Sequence, residues 1–123
     1  MIQRYRAWLK YEGCFADSID SIRYDKETIF LKWGGFGRGD RFEFYEVELM
    51  QSTGLRDKNG QEIFEGDIVQ FSDSLYTVFY DIKEGSYRLK PHDDRWVIDY
   101  MSNFSSDESF EIAGNIYENK EQL

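Results

Sequence analysis

Short runs of alternating apolar and polar residues fill most of the chain, which is the spacing of strands rather than of helices. Tyr5, Ala7 and Leu9 alternate with Arg6 and Trp8, predicting a first strand over residues 5–9. Residues 11–20 read as a loop around Gly13. Residues 22–33 read as a hairpin: a short strand in Ile19 to Tyr24, a turn at Asp25-Lys26-Glu27, and a strand from Thr28 to Trp33. Phe42 and Phe44 alternate with charged residues over 41–45, and Val47 and Leu49 alternate with Glu46 and Glu48. Leu75-Tyr76-Thr77-Val78-Phe79-Tyr80 is the strongest strand pattern, with Ser86 to Leu89 as its return strand after a turn at 81–85. Residues 91–95 read as a loop. Trp96 to Met101 fits a strand or a helical turn, and the Asp93-Asp94 pair as a helix start favours the turn. Residues 110–117 read as a closing strand.

The most informative stretch is Met50 to Phe71. Asn59-Gly60 is a turn signal, because both residues tolerate positive φ, and Asp57 before it can accept hydrogen bonds from turn amides. Glu65-Gly66-Asp67 is a second turn, with Gly66 supplying the permissive backbone. Between the turns Ile63 is a candidate buried anchor, and Ile68-Val69-Gln70-Phe71 has the β-branched and aromatic content of a strand.

The run from Thr53 to Val69 resembles the signature of the YopX family of phage and prophage proteins. Tyr5-Arg6-Ala7-Trp8 is similar to the short basic-aromatic opening of that family, and Gly114 to Asn119 is similar to its Gly-Asn-Ile-Tyr-Glu-Asn ending. Lys120 stands where the family usually has Pro after that ending. The resemblance implies a mainly β fold containing an SH3-like small barrel, and a phage or prophage origin. It brings no established activity and no catalytic residues.

At 123 residues the chain is expected to form one domain with a core that needs no staples. An aromatic content of 18% suits sheet packing. The formal net charge is −9, from 24 acidic against 15 basic residues, which argues against generic binding to phosphate backbones and favours basic partners. Cys14 is the only cysteine, so an intramolecular disulfide and a cysteine-based zinc site are excluded, as suits a reducing cytoplasm. No secretory leader pattern opens the sequence, and no run approaches the length of a membrane helix.

Candidate chemistry is sparse. Gly34-Gly35-Phe36-Gly37-Arg38-Gly39-Asp40 lacks the Gly-Lys-Ser/Thr ending of a phosphate loop and reads as a hairpin loop. His92, the only histidine, lies beside Asp93 and Asp94, but no nucleophile is placed near it in sequence, so it reads as a surface residue. Asp57-Lys58-Asn59-Gly60-Gln61-Glu62 offers only part of a calcium loop. Carboxylate pairs such as Glu62 and Glu65 would act as acid and base only inside a cleft. Tyr76, Phe79, Tyr80, Tyr87 and Trp96 are core candidates before they are a binding platform.

The expectation is therefore a mainly β single domain over 1–123: an N-terminal β-hairpin unit over about 1–49, an SH3-like barrel over about 50–117, at most short helical turns, and a short tail. Asp57, Asn59, Gly60, Gly66 and Asp67 are structural turn residues. No catalytic residue, cofactor or metal site is expected, and the chain reads as a non-enzymatic interaction protein binding a host or phage protein in the bacterial cytoplasm. Asp93, Asp94 and Asp99 are the candidate partner surface: from Asp93 to Leu123 eight acids face two bases, a net charge of −6. The alternative is a small nucleic-acid-binding barrel using Arg4, Arg6 and Lys10 with Tyr5 and Trp8.

Overall fold

Strand β1 (Tyr5–Leu9) forms where the sequence alternates, and its Ala7 and Leu9 are buried. Gly13, at φ 70°, turns the chain back into β2 (Cys14–Phe15), which pairs antiparallel with β1. The region expected as a loop over residues 11–20 thus holds a two-residue strand and the start of β3 (Ser18–Arg23). β3, β4 (Thr28–Lys32) and β5 (Gly39–Glu43) form a three-stranded antiparallel sheet in that order. The expected strand over 41–45 is shifted: it begins at Gly39, stops at Glu43, and Phe44–Glu46 form a 3-10 turn. Two backbone bonds fix that turn, Phe44 N–H to Glu27 C=O and Lys10 N–H to Glu46 C=O. Tertiary pairing thereby overrides the local alternation. β6 (Val47–Arg56) follows, and its residues 47–51 pair with β1.

The computed structural model describes residues 4–35, 37, 39–72, 74–93, 99–100 (backbone only) and 110–118. The chain divides into two units, Met1–Gln51 and Ser52–Leu123, with the boundary inside β6. The first has its own core of Ala7, Leu9, Ile29, Leu31 and Val47, with Ile19, Ile22 and Phe42 packed around it.

In the second unit residues 52–56 of β6 pair with β7 (Glu62–Phe64). β8 (Asp67–Phe71), β9 (Ser74–Asp81) and β10 (Ser86–Pro91) make the expected meander, flanked by β11 (Asp99–Tyr100) and by β12 (Glu111–Asn115). The order is β11-β10-β9-β8-β12, a curled half-barrel sheet. The helical turn favoured for residues 96–101 is corrected at 99–100, where the backbone pairs with Arg88 and Leu89 as a strand. The rest of that segment lies outside the described residues. Ile63, Val69, Tyr76, Val78, Leu89 and Phe110 form the core. The fold is mainly β, and among the described residues no helix is long and apolar enough to cross a membrane.

Leu31 is fully buried in the first core. Leu31→Ala should destabilise the protein by about 2–5 kcal/mol, the sum of lost transfer energy and an unfilled cavity. A lower urea midpoint at unchanged slope is the expected readout.

Candidate functional site

The expected turn residues occupy the positions that the second unit closes around. Asp57, only 4% exposed, sits between β6 and β7. Its Oδ1 accepts from the backbone N–H groups of Asn59 and Gln61, both at 2.9 Å, and its Oδ2 accepts from Ile112 N–H at 3.0 Å. Gly60, at φ 81°, closes the turn by donating to Asp57 C=O. Lys58 N–H donates to Phe110 C=O beside it. One carboxylate therefore shapes its own turn and also pins a strand 55 residues downstream. Burial opposes ionisation of Asp57, but the three backbone donors and the Lys58 charge outweigh it and hold the carboxyl below its ordinary value.

The second turn is built the same way. Asp67 is buried and accepts from Phe64 N–H at 2.8 Å. Gly66, at φ 87°, donates to Val78 C=O and accepts from Ile116 N–H, so both of its peptide groups are committed. Asp67 pairs in register with Asn115, and Ile68 with Gly114. The Asn115 side chain caps the end of the chain segment: Oδ1 accepts from Tyr117 and Glu118 N–H, and Nδ2 donates to the Glu118 carboxylate. The central signature and the Gly-Asn-Ile-Tyr-Glu ending are thus one structural unit.

The remaining polar candidates are also engaged in the frame. His92, expected at the surface, is half-buried: its Nε2 lies 2.8 Å from Thr77 Oγ1 and its N–H donates to Leu75 C=O. Thr77 and His92 come together because β9 and β10 pair up to Tyr76 and Pro91. Asp81 takes an ion pair with Arg88 at 2.9 Å, and the guanidinium hydrogen bond holds the Asp81 carboxyl below its ordinary value. Ser52 donates to the Glu62 carboxylate, and Lys58 pairs with Glu111 at 3.1 Å. Asp93 is half-buried and in polar contact, the Asp99 backbone lies opposite Leu89, and Asp94 falls outside the described residues. Of the aromatic set, Tyr76 is buried, while Tyr80 is 42% exposed and packs edge-on against Tyr87. Trp96 lies outside the described residues.

The basic-aromatic opening is committed as well. The Arg6 guanidinium lies over the Phe15 ring at 4.8 Å, and Trp8 is buried edge-on to the same ring. Lys10 pairs with Glu48 at 3.2 Å.

A different basic-aromatic face was missed in the sequence. Ser21, Arg23, Lys26, Thr28, Phe30 and Arg41 line a cavity of about 340 Å³ on the β3-β4-β5 sheet. The register places Phe30 between Ser21 and Arg41, and Thr28 opposite Arg23. A Cβ on Gly39 would meet the Phe30 ring at 2.5 Å, so the glycine is what lets that ring lie across β5. The available signal was the period-two alternation of Thr28 and Phe30 with core Ile29 and Leu31. Among the described residues no group of three or more His, Cys, Asp or Glu is placed to hold a metal.

A family model described as YopX protein matches residues 4–123. The solved structures similar to this chain include protein EF1440 from Enterococcus faecalis, at 28% identity and a TM-score of 0.66, covering 100% of this chain and 99% of that one. No curated protein matches the chain.

Two predictions test the turn framework. Because the folded pKa of Asp57 is depressed, its stabilisation is complete above its unfolded value near 3.8 and is lost as pH falls through the folded value. Asp57→Asn offers one acceptor oxygen to three donors, so it should cost about 1–3 kcal/mol at pH 7. It should also flatten the loss of stability below about pH 4, read from urea midpoints across pH. Gly66→Val forces a branched residue to positive φ and should cost about 1–3 kcal/mol, with a matching fall in melting temperature.

Proposed function

The chain belongs to the YopX family, and from that premise we propose that it is a non-enzymatic phage or prophage accessory protein that binds a basic host or phage protein in the bacterial cytoplasm. The second unit is read as the family's SH3-like barrel and as the partner-binding part. The observation that carries this reading is the division of charge. Met1–Gln51 holds eight Lys and Arg against nine Asp and Glu, a net charge of −1; Ser52–Leu123 holds seven against fifteen, a net charge of −8. Nearly all of the surplus belongs to one unit, and a unit so charged attracts basic surfaces and repels phosphate backbones. The use of Asp57, Asp67 and Asn115 as backbone acceptors supports a structural role for the signature, in keeping with a binding protein. Commitment of Arg6, Trp8 and Lys10 within the first unit weighs against an N-terminal nucleic-acid face.

The test is affinity capture from phage-infected host extract at low and high salt. A basic protein partner should be retained at low ionic strength and released as salt rises, because charge pairs at a surface are screened within about 10 Å at 0.1 M. Changing Asp93, Asp94 and Asp99 together to Asn should abolish capture, with a cooperative melting curve showing that the variant is folded. Capture that is indifferent both to salt and to these changes would sink the reading.

A further inference from the structure

The cavity on the β3-β4-β5 sheet is independent of the proposed acidic contact, and it has the chemistry of an anion site. Three cationic side chains, two hydroxyls and one aromatic ring line it: Arg23, Lys26, Arg41, Ser21, Thr28 and Phe30. Arg41 and Lys26 have no ion pair among the described residues. Arg23 donates to both carboxylate oxygens of Asp25, Nε to Oδ1 and Nη2 to Oδ2, each at 3.2 Å, in a pair whose side chains are 59% and 65% exposed. An exposed pair of this kind is screened by salt, and phosphate can take the same two-pronged geometry on the guanidinium. Three acids border this face: Asp25 holds Arg23, Glu43 pairs in register with Thr28 at the end of β5, and Asp20 lies by Gly39.

Phe30 decides what kind of anion fits. It is 41% exposed, in the middle strand, with its ring resting where a Gly39 Cβ would be. Burying that ring was open to the sequence and did not happen; instead β4 turns Ile29 and Leu31 inward and leaves Phe30 out among the cations. An aromatic face between guanidinium and ammonium groups matches a ligand that carries a planar ring next to a phosphate. Phosphate would take the Arg and Lys donors and the hydroxyls, and a base would stack on Phe30. A duplex fits poorly: it presents its bases stacked inside, and its binding relies on more phosphate contacts than three cations supply. The volume, about 340 Å³, is that of a small-ligand cleft and suits one nucleotide.

We propose that this cleft binds a nucleotide unit, phosphate on Arg23, Lys26 and Arg41 and base on Phe30. The unit comes either from single-stranded nucleic acid or from a free nucleotide.

The test is fluorescence anisotropy on the full chain with a labelled oligothymidine, competed by unlabelled oligothymidine, thymidine monophosphate or duplex DNA. Wild-type protein should bind the oligothymidine at low salt, with log affinity falling against log salt at a slope of about −2, as three phosphate contacts on a single strand require. The double variant Lys26→Gln, Arg41→Gln should lose at least about tenfold in affinity and most of that slope. Phe30→Ala should lose about tenfold while keeping the slope, since it removes stacking and no charge. These positions are exposed or partly so, and unchanged melting curves confirm that each variant is folded. Competition by the mononucleotide at concentrations comparable to those of the oligothymidine assigns the cleft to a free nucleotide; competition by the oligothymidine alone assigns it to a strand. No binding by wild type, binding unaltered in the double variant, or preference for duplex would each overturn the proposal.

Discussion

The second unit depends on a carboxylate that has given up water for three backbone amides. Asp57 is almost wholly buried, and a buried charge without partners is among the costliest features a small domain can contain. Here the cost is offset because every donor is a main-chain N–H fixed by other structure: two by the Asn59-Gly60 turn, one by β12. The arrangement makes local and long-range order interdependent. If the turn opens, the Ile112 contact leaves a buried acid with one donor; if β12 leaves, the turn keeps its shape but loses its seal. Closing a loop of 55 residues costs only slightly more than closing half that length. Adjacent bonds help hold it: Lys58 N–H to Phe110 C=O and the β8–β12 ladder.

That coupling explains why distant blocks of sequence carry a shared pattern. Asp67 stands opposite Asn115, Gly66 accepts from Ile116, and Asn115 turns the following residues through its own side chain. A substitution in either block is felt in the other, through hydrogen bonds whose partners are mostly backbone. Backbone partners do not vary with sequence, so the demand falls entirely on the side chains of Asp57, Asp67 and Asn115 and on the glycines that admit positive φ.

The elements legible in the sequence were those set by local chemistry. Alternation over residues 75–80 puts Tyr76, Val78 and Tyr80 on one face: Tyr76 and Val78 are buried there, while Tyr80, near the end of β9, is 42% exposed. Ile63 between two turns has nowhere to go but inward. What escaped was set by partners. The alternation read at Glu46 to Leu49 continues as β6 to Arg56, with Gly54 at φ 81° where the pairing register to β7 shifts between Ser52 and Arg56. A positive-φ glycine serves an irregular strand as well as it serves a turn. Asp99–Tyr100 become a strand because Arg88 and Leu89 are there to pair with, while the preceding acids suggest a helix start.

The same reasoning explains why an anion cleft hides inside an acidic sequence. Net charge is a property of the whole chain, whereas a ligand meets one face. Arg23, Phe30 and Arg41 lie on three different strands and meet only through register. That register contains an irregularity: Ile19 pairs with Leu31, Ser21 with Phe30, and Asp20 is the extra residue between them. The bulge lets Ile19 and Ile22, three apart, both pack against the core, and it returns Ser21 and Arg23 to the side of Phe30. Simple alternation would have put Ile19 and Ile22 on opposite faces, so the pattern of β3 is uninformative until its pairing is known. In the second unit, by contrast, the described acids Asp57 and Asp67 accept from backbone amides, and Asp81 and Glu111 pair with Arg88 and Lys58. Charge in this chain therefore serves two ends: carboxylates turned inward organise strands, and cations turned outward beside the β3-β4-β5 sheet line a cleft in which Lys26 and Arg41 make no ion pair among the described residues.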